Sequence, residues 1–122
     1  HKKIREWWKF GMSENLGNQE LINEKYQGIR PASGYPCQPD HTEKDTIWKL
    51  LSVNERIKLE LTESRAMNPG CSVSGLYFSN PNSRYFNVGS LGRDQVEDYA
   101  RRKEWPIEKA IKWLRPNLGF EA

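Results

Sequence analysis

The chain has 122 residues, 36% of them hydrophobic and 29% charged, which is typical of one soluble domain that can bury a core without disulfides. Its net charge of +3 is spread along the sequence, whereas a nucleic-acid-binding surface concentrates its positive charge, so nucleic acid is not expected as a partner. No apolar run approaches the roughly eighteen residues of a membrane span, and two cysteines are too few for a secreted disulfide scaffold. We therefore expect a cytoplasmic protein with no membrane partner.

Three helices are predicted in the first half of the chain. Apolar residues at i, i+3 and i+4 spacing predict a helix from Lys2 to Phe10, ended by Gly11. A second helix is predicted over 18–26, with Asn18 as its N-cap, and a third over 43–52 after Thr42. Each helix is expected to bury one apolar side. These sides consist of Ile4, Trp7 and Trp8 in the first helix, Leu21 and Ile22 in the second, and Ile47, Trp48, Leu50 and Leu51 in the third.

The first residues also bear on the extent of the protein. The chain begins with His1 rather than methionine, and two adjacent tryptophans so near a natural terminus would have no core to enter. We therefore expect the sequence to be a piece of a longer polypeptide. The two basic clusters, 2–5 and 101–103, are interpreted as solvated helix faces.

The middle of the chain is predicted to form strands. Alternating apolar and charged residues over 56–61 have the period of a half-buried strand, and Asn68-Pro69-Gly70 is predicted to turn. Residues 73–79 and 85–91 are predicted to form a hairpin through the turn residues 80–83.

Two helices are predicted in the C-terminal third. One begins at Arg93 or Asp94, and the other has Pro106 in its first turn and is ended by Pro116. Their inward sides are expected to carry Val96, Tyr99 and Ala100, then Ile107, Ala110, Ile111 and Leu114. The order of elements predicts an α+β fold, a small antiparallel sheet with a central hairpin flanked by helices, in a single domain over residues 1–122.

The least regular stretch is the loop Arg-Pro-Ala-Ser-Gly-Tyr-Pro at residues 30–36. Pro31 fixes its own φ and disfavours helix at Arg30, and Gly34 permits a positive φ. We therefore expect a rigid, exposed loop that presents one guanidinium and one phenol to a ligand.

Catalysis by side chains of this chain is not indicated. The two histidines are His1 and His41, and neither forms a recognisable nucleophile motif with Cys37 or Cys71. Cys37 and His41 have the spacing of half a zinc site, but a second pair of ligands with suitable spacing is missing from the sequence. No phosphate-binding or dinucleotide-binding glycine motif is present. We predict no catalytic residues and no metal site, and we favour a binding function.

The loop and the aromatic residues near it suit a charged ligand with a heterocycle. Arg30 can bind a carboxylate through two parallel hydrogen bonds, and the rings of Tyr35, Tyr85 and Phe86 can stack on a heterocycle or lie against a cation. The backbone of 32–34 is expected to offer unpaired N–H and C=O groups to the edge of a base. A carboxylate, a cation and a purine together describe S-adenosylmethionine, although many other ligands suit arginine and aromatic rings equally.

Several motifs occur in order over nearly the whole chain. The loop lies within Tyr26–Pro36 and is followed by Pro39–Lys44 and by the shorter motifs 61–64, 69–70, 72–75 and 77–79. The series ends with Arg-Asp-Gln-Val-Glu-Asp-Tyr-Ala-Arg-Arg at 93–102, Trp113-Leu114 and 116–119. In these motifs the chain closely resembles the activation (reactivation) domain of cobalamin-dependent methionine synthase, of which it would be the C-terminal part.

This resemblance implies a defined function. The activation domain of that family binds S-adenosylmethionine and docks on the cobalamin-binding domain when the cofactor has been oxidised to cob(II)alamin. A flavodoxin-type protein supplies one electron, and the methyl group passes from the sulfonium to cobalt, which restores methylcobalamin for methionine biosynthesis. Cobalamin is held by the partner domain, so this domain of a methyltransferase needs no acid, base or nucleophile of its own.

The resemblance also assigns six residues to the S-adenosylmethionine site, namely Arg30, Ala32, Gly34, Tyr35, Tyr85 and Phe86. It places Arg30 on the methionine carboxylate and the loop backbone on the adenosine part. If the segment of Tyr85 and Phe86 is a regular strand, the two rings point to opposite faces, so one residue must contact the ligand through its backbone or the strand must bend. The family's domain extends upstream of His1, and that segment is implied to supply further contacts, including an acidic residue.

Two other functions remain open at this point. One is a non-catalytic module that keeps the fold and only docks on a cobalamin-binding protein. The other is a small basic RNA-binding domain that uses tryptophan and tyrosine as stacking platforms. Saturable binding of S-adenosylmethionine separates the first alternative from the main hypothesis, and salt-dependent RNA binding would support the second.

Overall fold

The computed structural model describes residues 1–9 and 11–122, which divide into two compact units. Unit 1 consists of His1–Pro31 and Gly75–Tyr85, and unit 2 consists of Ala32–Ser74 and Phe86–Ala122. The chain therefore passes between the units at 31–32, 74–75 and 85–86. None of the helices in the described residues has the length and apolarity needed to cross a membrane.

Both helices of unit 1 are shorter than the sequence predicts. Helix α1 is Lys2–Trp7, and its predicted end at Phe10 lies outside the described residues. Helix α2 is Asn18–Ile22, and its N-cap is Gly17, whose N–H donates to the Glu20 carboxylate at 2.9 Å, rather than Asn18. The prediction that α2 reaches Tyr26 is wrong, because the left-handed backbone at Glu24 (φ 54°) cannot continue a helix.

The interior of unit 1 contains a buried arginine. Arg5 is 2% exposed, and its Nε–H donates to Oε2 of Glu14 at 2.8 Å while a second N–H donates to Oε1 of the same carboxylate. The guanidinium also lies 4.8 Å from the ring centre of Tyr26. The interpretation of this basic cluster as a solvated face is therefore wrong at Arg5. The inward side of α1 includes Arg5 because Glu14 neutralises its charge, and Trp7, predicted to face inward, is 66% exposed.

The apolar side predicted for α2 is not buried either, since Leu21 and Ile22 are both exposed. Helix α2 has only five residues and offers only these two apolar positions. An amphipathic pattern of five residues is thus too short to fix which side of a helix packs.

The core of unit 2 is a pair of helices near the C-terminus. Helix α5 (Arg93–Arg102) and helix α6 (Ile107–Leu114) begin and end close to the positions predicted from Arg93, Pro106 and Pro116. A 3₁₀ turn at Arg115–Asn117 contains Pro116 and ends α6. The buried residues of this pair, which confirm both predicted apolar stripes, are Val96, Ala100, Ala110 and Leu114.

The rest of unit 2 contains two more helices and the sheet. Helix α3 is Glu43–Leu51 and helix α4 is Val53–Ile57, separated by Ser52 in a left-handed conformation. Strand β1 (Glu60–Leu61) pairs antiparallel with strand β2 (Met67–Asn68). The strand predicted over 56–61 is therefore reduced to its last two residues, because α4 occupies the first two positions and Lys58 has a positive φ of 53°.

The apolar side of α3 also differs from its prediction. Leu50 is 76% exposed and Leu51 is also exposed, whereas Lys44 is buried. The burial of Lys44 is stabilised because its ammonium group donates to the Arg65 carbonyl at 2.9 Å. Trp48 is half-buried as predicted, and its indole N–H donates to the carbonyl of Leu59 at 3.0 Å.

The α+β class with a small antiparallel sheet is confirmed, but the hairpin lies elsewhere than predicted. It is formed by β1 and β2, and residues 73–79 and 85–91 form no strand in the described part of the chain. The turn over 80–83 is present, with the Ser83 N–H donating to the Asn80 carbonyl at 3.0 Å. The flanking segments do not pair because other partners bind them, as when Phe78 pairs with Ile29.

A buried carboxylate connects the start of α3 with α5. Asp40 is 3% exposed and accepts hydrogen bonds from the Thr42 N–H at 2.7 Å, the Thr42 hydroxyl at 2.8 Å and the Tyr99 hydroxyl at 2.6 Å. Burial, together with the Asp40 charge, raises the pKa of Tyr99 above its usual range. Lys103 pairs with Glu43, so the second basic cluster is only partly a solvated face.

Replacing Tyr99 by phenylalanine is expected to lower the free energy of unfolding by about 1 kcal/mol. The ring and its packing are kept, but Asp40 loses one of its three donors. Urea unfolding measures the change. The control is Tyr35→Phe, which removes an exposed hydroxyl and should change stability by less than about 0.5 kcal/mol. Equal effects of the two variants would contradict a structural role for the buried Asp40.

Candidate ligand-binding site

The six residues assigned to the site fall in both units. Unit 1 contains Arg30 and Tyr85, and unit 2 contains Ala32, Gly34, Tyr35 and Phe86.

The backbone around Arg30 is held on both sides. Ile29 exchanges hydrogen bonds with Phe78 at 3.1 and 2.9 Å, and the Leu76 N–H donates to the Pro31 carbonyl at 2.9 Å. The N–H of Arg30 itself donates to the phenolic oxygen of Tyr85 at 2.8 Å. Because the backbone of Arg30 is fixed, its side chain projects from a defined position. Less conformational entropy is then lost when the side chain binds a ligand.

The approach of Phe78 requires a glycine just before this segment. Gly28 has a φ of +80°, and a Cβ at that position would lie 2.5 Å from the Phe78 carbonyl oxygen. Any larger residue would meet the backbone of the neighbouring segment and move the pairing that fixes Ile29 and Arg30.

The side chain of Arg30 is available to a ligand. Arg30 is exposed, and among the described residues the ion pairs join other arginines and lysines and none includes Arg30. A guanidinium that has no carboxylate partner in its own protein can bind an external carboxylate through two charge-assisted hydrogen bonds.

Tyr85, which was predicted to contact the ligand, also makes a contact within its own unit. It is half-buried, and its hydroxyl accepts the hydrogen bond from Arg30 and is also hydrogen-bonded to Tyr26. Burial, with the Tyr85 hydrogen bond as the next cause, raises the pKa of Tyr26 to about 12. Tyr85 thus supports the Arg30 backbone, a role that sequence reasoning missed because the two residues are far apart in the chain.

A cavity of about 550 Å³ lies within unit 1 beside this pair of tyrosines. Its lining consists of residues 23–29, Pro81 and residues 83–85. The lining is mixed polar and apolar and carries charges of both signs, at Glu24, Lys25 and Arg84.

The loop of unit 2 is a tight turn closed by its own backbone. The Gly34 N–H donates to the Gln38 carbonyl at 2.7 Å, the Tyr35 N–H to the Ala32 carbonyl at 3.2 Å, and the Gln38 N–H to the Tyr35 carbonyl at 2.8 Å. Gly34 has a φ of +91°, the left-handed region that glycine adopts at little cost. The expectation of unpaired backbone groups is therefore wrong for the Gly34 N–H and the Ala32 carbonyl, because the turn itself uses them.

Other backbone groups of the turn remain available. Within the described chain, the Ala32 N–H and the Gly34 carbonyl have no hydrogen-bond partner. They form a donor and an acceptor two residues apart, which is the kind of pair that can recognise the edge of a base.

Two exposed aromatic rings belong to the same unit as the turn. Tyr35 is 65% exposed and Phe86 is 61% exposed. The Val88 N–H donates to the Pro36 carbonyl at 2.9 Å, so the segment that follows Phe86 is hydrogen-bonded to the end of the turn. Exposed rings fixed to a rigid turn provide faces on which a heterocycle can stack.

Two residues behind the turn were not assigned to the site from the sequence. Ser33 is 5% exposed, and its hydroxyl has no hydrogen-bond partner within the described chain. The imidazole of His41 packs against Gly34, where a Cβ would overlap its Cε1 and lie 2.6 Å from Nε2. The sequence carries no local signal for either arrangement.

In residues 1–9 and 11–122, no three side chains of His, Cys, Asp or Glu lie together in a way that could hold a metal ion. Cys37 and Cys71 are both free thiols.

The fold and these groups of residues define a small α+β module with a candidate ligand-binding loop. Comparison with known proteins extends this description. The family model described as "Vitamin B12 dependent methionine synthase, activation domain" matches residues 1–104, and the chain belongs to this family. The resemblance seen in the sequence motifs is thereby confirmed.

A solved structure gives the same result. The crystal structure of the MetH reactivation domain bound to AdoHcy matches 99% of this chain with a TM-score of 0.89 and 56% sequence identity. The present chain spans 38% of the length of that solved chain.

Proposed function

We propose that this chain binds S-adenosylmethionine and takes part in the reductive reactivation of cob(II)alamin to methylcobalamin in a B12-dependent methionine synthase. The observation that carries the proposal is the exposed guanidinium of Arg30, which has no ion-pair partner among the described residues and stands on a fixed backbone. Membership of the activation-domain family and the AdoHcy in the similar MetH domain support it.

Each of the six residues receives a role in this proposal. Arg30 binds the carboxylate of the methionine part through both arms of its guanidinium. The Ala32 N–H and the Gly34 carbonyl meet the adenine edge, and the rings of Tyr35 and Phe86 contact the adenosine part. Tyr85 keeps the Arg30 backbone in place through its hydroxyl group and contacts the ligand, as the family resemblance implies.

In this reaction the residues of the chain position the ligand and transfer no proton. In methyl transfer the bond between sulfur and the methyl carbon breaks, its electron pair stays on sulfur, and S-adenosylhomocysteine is the product. Cobalamin, held by a partner domain and reduced from cob(II)alamin by one electron from the donor protein, would supply the electron pair for the new bond to the methyl carbon. Residues of this chain hold the carboxylate and the adenosine so that the sulfonium methyl is presented in one orientation, which is where a positioned reaction gains its rate.

The proposal includes partners and context that the family implies. The partners are the cobalamin-binding domain of methionine synthase and a flavodoxin-type electron donor, and the location is the cytoplasm. Residues 1–122 are proposed to form a single domain portion, the C-terminal part of an activation domain. The alternative of a docking module that binds no S-adenosylmethionine is kept as an outcome of the test below.

Calorimetric titration with S-adenosylmethionine tests the proposal. We expect saturable binding at one site, with S-adenosylhomocysteine competing for it and adenosine alone binding far more weakly because it has no carboxylate. Because the chain is proposed to be part of a domain, the titration is made with the complete domain as well. Absence of binding by both proteins would contradict the proposal, and binding to a cobalamin-binding domain in that case would favour the docking module.

A further inference from the structure

We propose that His41 is a positioning residue of the S-adenosylmethionine site: its imidazole, fixed by Lys44, supports the turn at Gly34 and so sets the geometry with which the loop meets the ligand. The inference rests on the proposed function above. It concerns residues of unit 2 alone.

The contact between His41 and Gly34 is the first observation. The ring covers the position that a side chain on residue 34 would take, since a Cβ there would overlap Cε1 and lie 2.6 Å from Nε2 and 2.7 Å from Nδ1. Gly34 is the residue whose N–H closes the turn onto Gln38 and whose carbonyl is proposed to meet the ligand. Gly34 and His41 are both exposed, so this is a surface contact in which the ring lies directly against the turn.

The second observation is that His41 is itself held from behind. Its Nδ1 lies 3.0 Å from Nζ of the buried Lys44, which also donates to the Arg65 carbonyl at 2.9 Å. Arg65 is bound in turn by the Asp45 carboxylate, with Nε at 2.9 Å from Oδ1, and its guanidinium lies 5.3 Å from the ring centre of Trp113. A continuous set of contacts thus connects α3 and α6 to the turn.

This arrangement defines the protonation state that supports the turn. A lysine ammonium can only donate, so Nδ1 of His41 must accept and the imidazole proton must be on Nε2. Protonation of Nδ1 would place two donors against each other 3.0 Å apart and break the contact. The support therefore requires neutral His41.

The charges around His41 favour the neutral ring. Burial lowers the pKa of His41 below its usual value, the Lys44 charge lowers it further, and the Asp40 carboxylate acts in the opposite direction. Arg65 reaches His41 only indirectly, because its carbonyl accepts a hydrogen bond from the Lys44 ammonium group. Because the pKa is lowered, the ring is neutral near pH 7, and the support is lost as the pH falls below the usual histidine range.

Three variants of the full chain test the role of His41, with S-adenosylmethionine as the probe. His41→Ala removes the ring and is expected to raise the Kd roughly tenfold, and Lys44→Met, which removes the donor behind the ring, is expected to raise it by several fold. The matched control is Lys49→Met, which removes an exposed lysine from the same helix and should leave the Kd unchanged. Urea unfolding of each variant shows that all are folded at the titration temperature.

The pH profile separates positioning from a merely structural role. The Kd of the unchanged chain is expected to rise as the pH falls from about 7 to 5, and His41→Phe, which keeps a ring against Gly34 but cannot titrate, should lose that rise. Both proteins bind the same ligand and retain His1. Any titration of the ligand or of His1 therefore affects both Kd values equally and cancels in the comparison.

The outcomes distinguish the two proposals. If the unchanged chain binds S-adenosylmethionine but His41→Ala binds it equally well, or if His41→Phe keeps the full pH dependence, the role of His41 is overturned while the proposed function stands. If neither the unchanged chain nor the complete domain binds S-adenosylmethionine, the proposed function fails and the role of His41 fails with it.

Discussion

Replacing Arg30 by alanine is expected to weaken S-adenosylmethionine binding about 100-fold. The variant removes two charge-assisted hydrogen bonds to the ligand carboxylate, and each such bond contributes more than a neutral one. The Arg30 backbone contacts to Tyr85 do not involve the side chain, so the fold should be unaffected. Calorimetric titration measures the Kd, and a circular dichroism melt verifies the fold.

Two further variants show whether charge or geometry is responsible. Arg30→Lys keeps the charge but loses the planar fork, and it is expected to bind with intermediate affinity. Arg56→Ala removes an exposed arginine of α4 that has no ion pair in the described structure, and it should bind like the unchanged chain. Equal losses for Arg30→Ala and Arg56→Ala would mean that only the overall positive charge matters.

Replacing Glu14 by alanine is expected to lower the free energy of unfolding by about 3–5 kcal/mol. Its carboxylate is the ion-pair partner of Arg5, and the side chains are only 9% and 2% exposed, so the variant leaves a buried guanidinium without its counter-charge. The ring of Tyr26 offsets only part of that loss. Urea unfolding monitored by tryptophan fluorescence measures the change.

The control uses an ion pair on the surface of the same unit. Glu6→Ala breaks the contact between Lys3 and Glu6, which are 73% and 31% exposed, and should lower stability by about 1 kcal/mol at most. The double variant Arg5→Met with Glu14→Leu removes both charges together and is expected to recover most of the lost stability. A small effect of Glu14→Ala, similar to that of Glu6→Ala, would show that the buried pair contributes nothing special.

The helical C-terminal third of the fold could be predicted from the sequence. In α5 and α6 the apolar residues recur with helical period, prolines mark the boundaries, and the same residues form the core. In a long periodic segment with clear boundary residues, single residues that break the pattern have little weight. The tertiary contacts in α5 and α6 therefore agree with the local helical preference.

The N-terminal part and the strands could not be predicted in the same way. Positive φ angles at Glu24, Ser52 and Lys58 end or shorten elements without a glycine to signal them. The burial of Arg5 depends on Glu14, and the pairing of Phe78 with Ile29 joins residues far apart in the chain. Such tertiary contacts decide the structure of short segments, whose local preferences are weak.

For the candidate site, the sequence indicated which side chains are exposed but not which contacts they make in the folded chain. Arg30, Tyr35 and Phe86 are exposed as a binding role requires, because proline and glycine in the loop signal its rigidity. The contacts of Tyr85 with Arg30 and of His41 with Gly34 arise only in the folded chain, and a tyrosine or histidine in the sequence carries no sign of them.

The most direct measurement is a thermodynamic cycle on the contact between Arg30 and the ligand carboxylate. S-adenosylmethionine and its decarboxylated analogue are titrated into the unchanged chain and into Arg30→Ala. The proposed site predicts that Arg30→Ala loses about 100-fold in affinity for S-adenosylmethionine but no more than about threefold for the analogue. Equal losses for the two ligands, or equal binding of both by the unchanged chain, would contradict Arg30 as the residue that holds the carboxylate.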